Sequence, residues 1–207
     1  MMKLSLSLPL PPALAADLSL LRGTLPGVDW TPQQQLFLCL RPLGQITDGR
    51  LLEELDFGLS RLRWSPFSLS LKELLLLEAP ARENRNDRLA CAVVPQEPLL
   101  QLRQRIDRQF RQSILPQSRH RFRPHVTIGQ LEPGRRAEAA GWIQKNNLFR
   151  SREFVVDRLH LLEHFQSGGE PGFTSLAAYG HDGSFHDTLK ESRDSFFSEP
   201  HSGLDPD

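Results

Sequence analysis

His125 and Thr127 stand two residues apart in the stretch Phe122-Arg-Pro-His-Val-Thr-Ile-Gly-Gln130. On a β-strand, residues two apart share a face, so an imidazole and a hydroxyl would point together while Val126 and Ile128 point into a core. An imidazole can move a proton near neutral pH, and a hydroxyl can donate a hydrogen bond to an anionic oxygen. The surroundings are basic: between Gln101 and His125 there are seven arginines, at 103, 105, 108, 111, 119, 121 and 123, and one acid, Asp107. The first four read as the solvated face of a helix. Arg119, Arg121 and Arg123, immediately before the histidine, are the better candidates for contact with phosphate.

The whole chain is electrically balanced, with 25 basic and 25 acidic residues in 207, so no global field favours nucleic acid or an anionic membrane. Any basic site must be local. The basic residues are 21 Arg and four Lys, a bias that suits bidentate phosphate contacts and that codon composition also explains. A hydrophobic content of 39% and a charged content of 24% are globular values. Cys39 and Cys91 are too few for a disulfide scaffold and lack metal-ligand spacing, which fits a reducing, cytoplasmic setting. No cofactor is expected. The opening Met-Met-Lys-Leu-Ser-Leu-Ser-Leu-Pro loosely imitates a secretory leader. Its Leu/Ser alternation and the prolines at 9, 11 and 12 favour a first strand followed by a helix. No apolar run reaches the roughly 18 residues of a membrane span.

Apolar spacing predicts the elements that carry the His-x-Thr pair. Leu14, Leu18 and Leu21 mark a helix, and Leu36 to Leu40 a buried strand closed by Pro42 and Gly44. Leu52, Leu55, Leu59 and Leu62 mark a second helix. Phe67 to Lys72 alternates as a strand that can continue to Leu77, and Leu89 to Val94 forms a hairpin with it. Pro98 opens a helix with Leu99, Leu102, Ile106, Phe110 and Ile114 on one face. Strands follow at 122–131, 154–165 and 173–179, with a helix over 133–147. Split near Asn86, each half reads β-α-β-α-β, so the expected fold is α+β: two duplicated lobes with antiparallel sheets facing a central cleft. Residues 1–182 form that folded unit, and 183–207 read as a polar, disordered tail.

Phe-Arg-Pro-His-Val-Thr-Ile, reached after a Pro-Leu-Leu-x-Leu-Arg helix, resembles the second signature of the two-histidine phosphoesterases. More narrowly it is similar to the bacterial RNA 2′,3′-cyclic phosphodiesterases, long called 2′-5′ RNA ligases. The opening Leu-Pro-Leu-Pro-Pro, the stretch Leu25 to Trp30, the strand Pro66 to Leu71 and the closing Gly172-Phe173 extend the likeness over residues 3 to 180. The resemblance implies a bilobal cleft with one His-x-Thr from each lobe. One histidine activates water, the other protonates the departing ribose oxygen, the threonines hold the phosphate, and no metal is needed. Cyclic-phosphodiester hydrolysis takes one proton and gives another, hence two acid-base groups.

The first signature departs from that pattern. It falls on Leu36-Phe37-Leu38-Cys39-Leu40-Arg41-Pro42-Leu43-Gly44, where Phe37 takes the histidine position and Cys39 the threonine position. In the second signature the expected arginine is Gln130. The resemblance leaves His125 and Thr127 as the catalytic pair, with Arg41, Arg123, Gln130, Phe37 and Cys39 as substrate contacts. Phe37 stacks on a base or simply fills space. His120, His160 and His164 are candidate replacements, but none occupies the facing motif. The expected protein is a monomeric cyclic-phosphodiesterase relative that binds an RNA end or nucleotide bearing a 2′, 3′ or cyclic phosphate, with catalysis impaired. A slow enzyme with a substitute acid, and an interaction protein with an empty cleft, remain open.

Overall fold

The computed structural model describes residues 2–79, 86–94, 96–110, 122–167 and 170–187. Its strands are β1 (Met2–Pro9), β2 (Val28–Trp30), β3 (Phe37–Ile46), β4 (Phe67–Leu69), β5 (Leu71–Leu77), β6 (Arg88–Val93), β7 (His125–Leu131), β8 (Phe154–Val156), β9 (Arg158–Ser167), β10 (Glu170–Gly180) and β11 (Phe185–Asp187). The helices are α1 (Pro12–Ser19), α2 (Gly49–Ser60), α3 (Glu97–Gln109) and α4 (Arg136–Asn146). Among the described residues every strand pair is antiparallel, which makes the fold α+β. The principal sheet runs β11-β10-β9-β1-β3-β7-β6-β5, with β2 laid on β7, while β4 and β8 form a separate pair.

Local chemistry explains these elements. Pro12 opens α1, where a missing N–H costs nothing, and Leu14, Ala15 and Leu18 bury one side. Asp48 caps α2 by accepting from the Arg50 amide. Leu99, Leu102 and Ile106 of α3 are buried, as the spacing predicts. Leu4, Leu6, Leu8, Leu38, Val126 and Ile128 form the sheet's core face. Gly129 is needed for close packing: a Cβ there would lie 2.6 Å from Val28 Cγ1 and 3.1 Å from the Asp29 carbonyl oxygen, so β2 could not approach.

Two sequence expectations need correction. The chain halves either side of Asn86 do not each close their own sheet. β9, from the last quarter of the chain, pairs with β1 and brings β10 beside it, so β1 and β3 share a side of the sheet with strands of the other half, while β5 of the first half pairs with β6, which pairs with β7. The assumed tail also begins too early, because Phe185–Asp187 pairs with Ala177, Ala178 and Tyr179 of β10. Residues 188–207 of that tail lie outside the described residues, as do Arg111, Ile114, Arg119, His120 and Arg121.

The sheet contains a repeated irregularity. On β3, Cys39 pairs with Ser7 but Arg41, not Leu40, pairs with Leu6, so Leu40 is an extra residue. On β7, Thr127 pairs with Ala90 and Gly129 with Leu89, so Ile128 is extra in the same way. Each bulge inverts the alternation that follows. Arg41 therefore turns to the core side with Leu6, only 4% exposed, where it pairs with Asp107 of α3. Asp107 also holds Arg103, which the sequence places on the solvated face of the helix but which is buried and lies over the Phe122 ring. One carboxylate thus serves two buried guanidiniums and fastens α3 to β3. Replacing Asp107 with Asn should cost about 3 kcal/mol, the lower range for removing one member of a buried ion pair, because Asp107 itself is 35% exposed. Urea unfolding measures this; an unchanged midpoint would show that the pair holds nothing together.

Candidate active site

The face of the sheet opposite that core carries a cavity of about 460 Å³. His125, Thr127 and Gln130 of β7, Phe37 and Cys39 of β3, Ser5 and Lys3 of β1, His164 of β9, Phe173 of β10 and Arg88 of β6 all line it. β3 and β7 meet at the pair Leu38–Val126, both fully buried. One residue to either side, that register sets Cys39 across from His125 and Phe37 across from Thr127. The two stretches singled out in the sequence therefore face each other over one pocket floor.

The His125 Nδ1–H donates to the Arg123 carbonyl at 2.7 Å, because a carbonyl can only accept. Nε2 keeps its lone pair and can serve as a base. Burial pulls the His125 pKa below its usual value, with Arg88 adding to the decrease and the Arg123 carbonyl opposing it. Burial raises the Cys39 thiol, against weaker lowering by Ser7, Arg103, Ser5 and the Arg41 backbone, so it is not a ready thiolate. The Phe37 ring meets Phe173 edge-on at 5.2 Å between centroids and His164 at 5.5 Å.

Of the residues predicted to contact substrate, Phe37, Cys39 and Gln130 line the cavity with His125 and Thr127. Arg41 does not, for the bulge before it turns its side chain to the core. Arg123 contributes its carbonyl to His125, and its side chain does not line the cavity.

The residues that sequence reasoning missed come from strands outside the two signatures. Arg88 stands directly opposite Gln130 in the β6–β7 register, beside His125. His164, set aside in the sequence because it lies outside the facing motif, lines the same cavity; its Nε2 is 2.7 Å from Ser5 Oγ. The polar side of the Leu/Ser alternation in β1 was the available signal for Ser5. Among the described residues no cluster of three metal-ligating side chains occurs, and no helix is long and apolar enough to cross a membrane.

An antiparallel sheet thus presents a His-x-Thr pair to a cavity of nucleotide size. The 2′-5′ RNA ligase superfamily model matches residues 11–167, and the chain belongs to that superfamily. Solved structures agree on the fold. E. coli LigT complexed with 3′-AMP is 19% identical, with a TM-score of 0.67, covering 86% of this chain and 97% of that one. The protein TT0787 of Thermus thermophilus is 20% identical with a TM-score of 0.67, covering 87% and 99%. E. coli LigT complexed with NADP+ is 17% identical with a TM-score of 0.64, covering 87% and 98%. A comparison with curated protein sequences finds no match.

Three half-buried histidines set a pH dependence. Burial holds His125, His160 and His164 all below the usual value of 6.5. The unfolded chain therefore takes up protons first as pH falls through 6.5, and stability present above that pH is lost on the way down. The melting temperature should fall between pH 7.5 and 5, and His160→Asn should make the slope shallower. A flat profile over that interval would contradict the burial of these rings.

Proposed function

We propose that the cavity binds a 2′-, 3′- or cyclic phosphate on a nucleotide or RNA end, and that hydrolysis there is impaired. The observation that carries this reading is the facing of the two signatures. His125 and Thr127 form one complete half-site, while Phe37 and Cys39 occupy the other. Phe37 transfers no proton, and a thiol is a weak hydrogen-bond donor beside a hydroxyl. His125 has a base-ready Nε2, but the leaving ribose oxygen needs a proton from elsewhere. His164 shares the cavity but lies outside the facing position; its Nε2 is hydrogen-bonded to Ser5 Oγ, and burial and the nearby Lys3 lower its pKa. The position across from Thr127 holds Phe37, which supplies no acid.

Phosphate binding has firmer support. Thr127 offers a hydroxyl, and Arg88 supplies the cation that Gln130 does not. Arg88 stands beside Gln130 on the pocket face and has no carboxylate partner among the described residues. Among those residues Asp29 is the one carboxylate lining the cavity, against the cations Lys3 and Arg88. LigT, a relative in fold, has been solved with 3′-AMP, NADP+ and ATP, all phosphate-bearing nucleotides.

The reading is tested by hydrolysis of a 2′,3′-cyclic-phosphate oligonucleotide. The unaltered protein should turn it over slowly or not at all. Phe37→His with Cys39→Thr should raise the rate about 10²-fold or more, the usual worth of an acid-base group, and His125→Ala should abolish the gain. Brisk turnover by the unaltered protein would refute impaired catalysis.

Arg88 has its own test. Arg88→Ala should weaken binding of a nucleoside 3′-monophosphate about tenfold or more, as loss of a charge-assisted hydrogen bond does. Gln130→Arg in the same chain should restore it, since the two positions are cross-strand neighbours. Titration calorimetry reads both; failure of the second substitution to restore binding would assign Arg88 a structural role.

A further inference from the structure

We infer that Lys3, Ser5 and His164 form a second anion-binding subsite in the same cavity, taking the second phosphate of a ribonucleotide phosphorylated on both sides of its ribose. This rests on the reading that His125, Thr127 and Arg88 hold the first phosphate. Each set combines a cation, a hydroxyl and an imidazole on the pocket face. Lys3 and His164 are cross-strand partners on β1 and β9, and the Ser5 hydroxyl is hydrogen-bonded to His164 Nε2 at 2.7 Å. All three residues line the cavity. Lys3 is exposed and pairs with no carboxylate among the described residues, so its charge is available to a ligand.

The separation of the sets argues for two phosphates rather than one. β1 and β7 lie on opposite sides of β3, two strand spacings or about 10 Å apart. The registers add a displacement along the strands: Ser7 stands level with Cys39 and so with His125, which puts Lys3 four residues, about 13 Å, further along β1, more than a single phosphate spans. Between β1 and β7 stands Phe37 of β3, packed edge to face against Phe173 of β10, an apolar surface suited to a ribose or base rather than to an anion. Phe37, which replaces a proton-transfer residue, then separates two charged subsites. The shared chemistry is a ribose flanked by two phosphates, found both in a free nucleoside 3′,5′-bisphosphate and in the last nucleotide of a 3′-phosphorylated RNA.

Titration calorimetry of the full chain with adenosine 3′-monophosphate, adenosine 3′,5′-bisphosphate and a diadenylate ending in a 3′-phosphate tests this. The bisphosphate should bind at least tenfold more tightly than the monophosphate, and Lys3→Ala should bring that ratio close to one. Ser5→Ala should lower the ratio too, with a thermal melt to check folding of this buried position. Diadenylate affinity matching the bisphosphate makes an RNA end the source; affinity at the monophosphate level makes it the free nucleotide. Equal mono- and bisphosphate affinities, or a ratio that Lys3→Ala does not change, would overturn the second subsite while leaving phosphate binding at His125 intact. Absence of any monophosphate binding would instead overturn the first.

Discussion

The contact on which the site depends is the pairing of β3 with β7 at Leu38 and Val126. One side of the principal sheet is built from β11, β10, β9, β1 and β3, and the other from β7, β6 and β5, with β2 on β7. They join at this one pair, whose side chains are completely buried. The burial fixes the register, because a slip of one residue would put Leu38 into the cavity and Phe37 into the core. The same register decides that Cys39 looks at His125. The chemistry of the cavity is therefore a consequence of how two apolar side chains sit on its reverse face.

Much of this was legible. Alternation around His125 located a polar pocket face and an apolar core face, and the periodicity of Leu99, Leu102 and Ile106 located α3. What escaped was anything set by non-local pairing. That β9 and β10 complete the β1–β3 side follows from antiparallel registers spanning more than 150 residues, and no local pattern records it. His164 was weighed as a replacement with His120 and His160, but its place at the cavity was not legible, since its partner Ser5 is 159 residues away. Arg88 was missed because its importance derives from standing across from Gln130.

Arg41 illustrates a different failure. Uninterrupted alternation would align residues 37, 39 and 41 on one face, and a guanidinium there would suit a phosphate. One extra residue on β3 reverses the expectation. The same extra residue occurs after Thr127 on β7, which is why Gln130 and not Gly129 reaches the pocket. The two bulges put the same break in alternation on the two strands that face each other across the pocket.

The paired bulges also divide labour. Before each one, the pocket-facing residues have one side open to the cavity and can change type without opening a void in the core. At each one, two consecutive residues face inward: Leu40 and Arg41 on β3, Ile128 and Gly129 on β7. Those inward pairs hold helix α3 and admit strand β2, respectively. A chain organised this way can lose or acquire a reaction at positions 37 and 39 while its folding stability is guarded by residues two steps further on. Inheritance of the scaffold and inheritance of the activity become separable.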